Sequence, residues 1–230
     1  MAKNKYQNWS KEELIVEIRK LKKRRKYGLV WEDKPEDVVE LCKDKLPVVK
    51  EDKSKEITID KNKPVNLLIE GDNYHSLSVL NYTHERKINV IYIDPPFNTG
   101  SRSWKFNNRY VDKEDAFKHS KWVSLMTRRL KICRNLLKNT GIILVAIDDY
   151  ECSTLRLLMD EVFGENNRLG TTVIVHNPGG RSDDQFIATS HEYMLAYGKN
   201  RNYSKINLLP LTEIQLEEYK KVLAEIEANT

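Results

Sequence analysis

The run Val90-Ile91-Tyr92-Ile93 ends at Asp94-Pro95-Pro96-Phe97-Asn98-Thr99-Gly100, and this junction constrains the fold more than any other stretch of the 230 residues. β-Branched and aromatic residues in unbroken succession describe a strand buried in a parallel sheet. Two consecutive prolines fix their own φ angles and donate no hydrogen bond, so the chain must leave that strand in a rigid loop whose carbonyls stay free to accept. Asp94 and the Pro95 carbonyl then face one point, with Pro96 fixing the loop. An exocyclic amino group there would donate to both oxygens, drawing its nitrogen toward tetrahedral geometry and freeing the lone pair to attack a methyl carbon, while Phe97 stacks on the ring. The bland alternative is a strand-ending turn, since Asp and Pro are both common turn residues.

Around this junction the pattern alternates helices and strands. Ser10 and Glu13 form a capping box for a basic helix to Lys26 with Leu14, Ile18 and Leu21 along one side. Residues 31–64 are charged, contain three prolines and read as an extended arm with a short helix near Val38–Cys42. Asn66-Leu67-Leu68-Ile69-Glu70 reads as a strand, Gly71-Asp72-Asn73 as a turn with Asp72 as helix cap, and Tyr74, Leu77 and Leu80 as the inward side of the helix that follows.

Ser101–Tyr110 interleaves cations with aromatics, as does a loop that grips phosphate and stacks on bases, with Arg102, Lys105 and Arg109 as the phosphate contacts. A lid whose aromatics pack on the sheet is the competing reading. Asp112 begins a helix with an apolar stripe of Trp122, Met126, Leu130, Cys133 and Leu137, ending before Gly141. Ile142–Ile147 is an apolar strand, after which Asp148 and Asp149 are expected to cap a helix through Leu155, Leu158 and Val162 rather than hold a metal. Thr171–Val175 and Tyr193–Tyr197 are further strands, separated by a flexible loop at Asn177–Arg181. Thr212 and Gln215 form a capping box for a last helix from Leu211.

The net charge of +5 is unevenly spread: residues 1–30 hold ten Lys and Arg against three Glu, and residues 86–138 hold thirteen against four acids. Positive charge gathered around the Asp94 loop suits a phosphate-lined substrate, whereas the run Lys22–Lys26 reads equally well as a solvated helix face. Cys42, Cys133 and Cys152 are scattered, fit a reducing cytosol, lack zinc spacing and read as buried or half-buried thiols. With no apolar stretch long enough to span a membrane and no signal-peptide core, the chain reads as soluble and cytoplasmic.

Asp94-Pro95-Pro96-Phe97 resembles motif IV of the amino-methyltransferases, whose usual form is Asp-Pro-Pro-Tyr; Phe97 keeps the ring and loses the hydroxyl. An opening Asp is similar to the adenine-N6 enzymes, where the cytosine-N4 group typically opens with Ser. Gly71–Leu77, His119-Ser120-Lys121-Trp122, Ile147-Asp148-Asp149, Asp160–Glu165 and Ser190–Leu195 extend the match over residues 9–200. Together they resemble β-class DNA adenine-N6 methyltransferases, in particular the modification (Mod) subunit of type III restriction–modification systems.

The resemblance implies an α/β fold of the Rossmann-like S-adenosylmethionine-dependent methyltransferase type, present here as its catalytic half. Its mostly parallel sheet would start strands near Asn66, Ile88, Ile142, Thr171 and His191, with flanking helices and an antiparallel return. It divides the chain into a basic helix and arm (1–63), a catalytic subdomain (64–200) and the start of a recognition region (201–230). It also implies S-adenosylmethionine as cofactor, with adenosine contacts from Asp72, Asn73, Tyr74 and Asp94, and double-stranded DNA with a flipped adenine as substrate. No metal is required. A homodimer and a restriction subunit are the further partners it brings.

The family's Phe-x-Gly-x-Gly cofactor loop is absent from the sequence, so the expectation is a chain inactive alone, with a continuation or second polypeptide supplying that motif. Cytosine-N4 or protein-amide methylation fits the same loop. The alternative from another class is a DNA-binding or assembly module without activity.

Overall fold

The computed structural model describes residues 9–22, 28–57, 60, 62–176, 189–207, 210 and 212–228; the side chains of 20–22, 101–103 and 224–228 lie outside that description. Its elements are α1 (Lys11–Lys22), α2 (Asp37–Asp44), α3 (Asn73–Thr83), β1 (Ile88–Ile93), β2 (Ser101–Phe106), β3 (Arg109–Asp112), α4 (Lys118–Leu136), β4 (Leu137–Ile147), α5 (Cys152–Phe163), β5 (Arg168–Val175), β6 (His191–Gly198) and α6 (Glu213–Ala228). The expected positively charged run Lys23–Lys26 and the loop Asn177–Arg181 lie outside the described residues.

The fold is α/β, with a mixed four-stranded sheet in the order β1-β4-β6-β5. β1 and β4 run parallel, Ile91 beside Ile143 and Ile93 beside Val145, while β6 runs antiparallel to both β4 and β5. The antiparallel return therefore takes in two of the three pairings. α4 and α5 cover one face of the sheet, where Trp122, Met126, Leu130, Ile143, Val145, Ile147, Leu155, Leu158 and Met159 are all at most 2% exposed. Gly141 lets β1 and β4 meet closely, since a Cβ there would stand 3.0 Å from the Ile88 carbonyl oxygen.

Both capping boxes form. Ser10 N–H donates to Glu13 Oε2 and Glu13 N–H to Ser10 Oγ; Thr212 and Gln215 exchange the same pair of bonds ahead of α6. The short helix expected in the arm is α2.

Several expectations are corrected. Asn66–Glu70 forms no strand: no described strand pairs with it, and Leu67 and Leu68 are 72% and 97% exposed. β1 is an edge strand buried on one side only, because no described element covers Val90 and Tyr92 on its other face. Ser101–Tyr110 is not a loop but the hairpin β2–β3, turned by Asn107 and Asn108 at φ 50° and 61°, the left-handed pair that a tight hairpin turn requires. α4 starts at Lys118 rather than Asp112, because β3 consumes Arg109–Asp112 and Asp115 closes a turn by accepting from Phe117 N–H. Leu137 belongs to β4, and the N-cap of α5 is Glu151, two residues beyond the expected carboxylates.

Candidate active site

Because β1 and β4 are parallel, their C-terminal ends lie together, placing loop 94–100 beside residues 148–151; antiparallel β6 begins at the same edge, with Tyr193 beside Ile147. Ligands of open α/β sheets collect at this end of the strands.

Within the loop Asp94 is exposed, Pro95 buried, and Pro96 and Phe97 half-buried. Phe97 packs against the core cluster. Trp122 does more than fill that core, since its indole N–H donates to the Pro96 carbonyl at 2.6 Å. The Pro96 carbonyl is thus an anchor of the loop. Asn98 follows at φ 61° and 1% exposure, a left-handed conformation that Asn tolerates better than most residues. Its Oδ1 accepts from Trp104 Nε1 at 3.1 Å and its Nδ2 donates to Glu151 Oε1 at 2.6 Å. The same Glu151 oxygen lies 2.5 Å from His119 Nδ1.

Asn98 and His119 stand within stretches singled out in the sequence but receive no role there, and Glu151 is not singled out at all. A signal existed in the polar residue directly after the Asp-Pro-Pro-Phe run, but Glu151 stood among three acids competing for one cap. Asp148 is spent locally, accepting from Tyr150 N–H at 3.0 Å. Asp149 accepts from the Tyr193 hydroxyl, and that bond, with lesser help from burial, holds the phenol above its ordinary value.

Asp72 caps α3 as expected, its Oδ1 accepting from Tyr74 N–H at 2.8 Å and His75 N–H at 3.4 Å. Arg129, unremarked in the sequence, braces this motif. Its guanidinium pairs with buried Glu36 at 2.6 and 3.0 Å, its Nε donates to Asn73 Oδ1 at 2.6 Å, and it lies 5.5 Å from the Tyr74 ring centroid. Glu36 begins α2, so one side chain ties α2, α3 and α4 together. Burial, then the nearby Cys42, raises the Tyr74 hydroxyl.

A cleft of ≈ 250 Å³ brings together Asp72, Asn73, Pro96, Lys105, Asn107 and Arg129. Tyr74, Asp94 and Phe97 are not among its lining residues. In the hairpin Trp104 and Phe106 turn into the core, leaving the paired Lys105 and Tyr110 outside with the Lys105 ammonium 4.7 Å from the Tyr110 ring. Those two buried aromatics are not available to stack on bases. Arg109 is exposed, and the Arg102 side chain lies outside the description.

Burial pushes the Cys133 thiol up to about 11 and, with Asp149 and Asp148 adding to it, also raises the Cys152 thiol. Neither is a ready nucleophile. The described residues contain no cluster of metal-ligating side chains and no helix long and apolar enough to cross a membrane.

A profile of the DNA methylase family (N6_N4_Mtase) matches residues 88–229. The Klebsiella pneumoniae type II methyltransferase M.KpnI is 42% identical over 131 residues, 56% of this chain and 31% of that protein. The EcoPI Mod subunit of Escherichia phage P1, a type III restriction–modification enzyme, is 32% identical over 190 residues, 73% of this chain and 29% of that protein. The chain thus spans less than a third of the length of the curated relatives it matches. Among solved structures, the cytosine-N4-specific PvuII DNA methyltransferase aligns with a TM-score of 0.42 at 17% identity, over 57% of this chain and 49% of that one.

Proposed function

From the premise that the chain belongs to the DNA methylase family, we propose that it is the catalytic portion of a DNA adenine-N6 methyltransferase of the type III modification kind. The observation that carries this reading is the Asp94–Phe97 loop, held at the C-terminal edge of β1 by Trp122 and Glu151 with Asp94 left exposed. Asp94 and the Pro95 carbonyl receive the two amino hydrogens of a flipped adenine, Pro96 fixes their spacing and Phe97 stacks on the base. This is catalysis by positioning. Lys105, with Arg102 and Arg109 on the same hairpin, holds the DNA backbone.

The cleft beside the loop fits part of S-adenosylmethionine. Asp72 spends Oδ1 on the cap, which leaves Oδ2 to accept from an adenosine amino group, and Arg129 holds Asn73 in place. Asp72, Asn73 and Tyr74 would contact the adenosine, with Asp94 at the junction with the substrate. The cofactor supplies the methyl group when bound. At ≈ 250 Å³ the cleft falls short of the range common for ligand pockets, which supports a second polypeptide or further chain completing it. The reading keeps the division into an N-terminal arm (1–63), a catalytic subdomain (64–200) and the start of a recognition region (201–230), and a cytoplasmic protein acting with a restriction subunit, as a homodimer.

The same small volume favours a second reading, a DNA-binding or assembly module without activity. One experiment separates them: incubation with S-adenosylmethionine and DNA, alone and with a polypeptide carrying the Phe-x-Gly-x-Gly loop, then mass spectrometry of the nucleosides. N6-Methyladenine that disappears in Asp94→Ala supports the enzyme. DNA binding without any methylated base supports the module, and N4-methylcytosine would reassign the target base.

A further inference from the structure

Glu151 is fully buried, yet only Oε1 is engaged, by the Asn98 amide at 2.6 Å and His119 Nδ1 at 2.5 Å; Oε2 makes no hydrogen bond within the described structure. A buried carboxylate needs more compensation than one neutral amide supplies. The basic group in contact with it is His119, whose side chain is 57% exposed. A carboxylate can only accept, so His119 Nδ1 carries the hydrogen and Nε2 of the neutral ring carries a lone pair. Trp122 stands three residues on along α4, on the same side of the helix. It holds Pro96 while Glu151 holds Asn98, so that side of the first turn lies along loop 94–100.

We propose that His119, oriented by Glu151, accepts the proton that the target amino group loses on methylation. The proposal rests on the methyl-transfer reading above. As the amino nitrogen forms its bond to the methyl carbon, the carbon–sulfur bond breaks and its electron pair stays on sulfur. The nitrogen is left with a positive charge and one hydrogen in excess. That proton, held by the Asp94 carboxylate, passes on to His119 Nε2, the Glu151 carboxylate offsets the imidazolium charge, and the exposed side of the ring returns the proton to water. One proton leaves per methyl group transferred, and no oxidant or reductant is needed. His119 is then a catalytic residue and Glu151 a positioning residue.

The test joins ¹⁵N NMR of His119 in this chain with single-turnover methyl transfer by the active enzyme. In the wild type the neutral ring should show Nε2 unprotonated, and Glu151→Gln should remove that preference. His119→Gln, whose side-chain amide can still donate to buried Glu151, should fold normally; it and His119→Ala should both slow transfer on the order of 10²-fold with DNA affinity unchanged, and added imidazole should restore part of the rate lost in His119→Ala. An undiminished rate in His119→Ala, a slow rate that imidazole does not rescue, or a protonated Nε2 in the neutral wild-type ring would each overturn the proposal. Wild-type protein with the expected tautomer but no methyl transfer under any condition would overturn the reading of function, and the proposal with it.

Discussion

Two loops meet at the cleft, and they are built differently. Loop 94–100 is anchored from behind by Trp122, Trp104 and Glu151, three side chains that are all at most 6% exposed. The turn at 70–73 is a helix cap on the surface, preceded by an apolar segment in which Val65 and Leu68 are 84% and 97% exposed. Among the described residues its buried tether is Asn73, through Arg129. The difference is one of support: loop 94–100 is braced by side chains buried in the core, the turn at 70–73 by its own cap and by Arg129.

The largest expected effect comes from breaking the first loop at its root. Trp122→Ala removes a fully buried ring and the Pro96 anchor together, and should destabilise the chain by about 4 kcal/mol in a denaturant titration. Next is the tether of the second loop. Arg129→Met leaves buried Glu36 with only the more distant Arg128, at 3.6 Å, and should cost up to about 3 kcal/mol, with the amide chemical shifts at the starts of α2 and α3 changing together.

Smaller effects sharpen the contrast. Asp72→Ala should lower stability by about 1 kcal/mol through loss of the cap, without disturbing the resonances of Phe97–Gly100. Leu68→Asp should change stability by less than about 0.5 kcal/mol, because the side chain is 97% exposed among the described residues; a large loss of stability would mean that the segment 65–70 has a partner within the chain.

This difference also explains what could be read from the sequence. The Asp94-Pro95-Pro96-Phe97 loop, the Asp72 cap, both capping boxes and the α4 core were legible because each rests on local chemistry or helical spacing. Asn66–Glu70 was misread for the converse reason: its pattern is that of a strand, but a strand forms only against a partner. Val90 and Tyr92 share that origin, being apolar residues on a sheet face that no described element covers. Glu151 and Arg129 were illegible because buried charges pair with residues 32 to 93 positions away, and no local pattern encodes such a pairing. Asn107-Asn108 did carry a hairpin signal, which the cations and aromatics around it obscured.

The claim that one loop is braced from the core and the other is a surface cap is tested most directly by native-state hydrogen exchange of the unliganded chain. The indole N–H groups of Trp122 and Trp104, donated to Pro96 and Asn98, should exchange only on global unfolding, whereas the amides of Val65–Gly71 should exchange near the free-peptide rate, a gap on the order of 10³-fold or more. Equal protection of the two sets, or faster exchange at the two indoles, would contradict it.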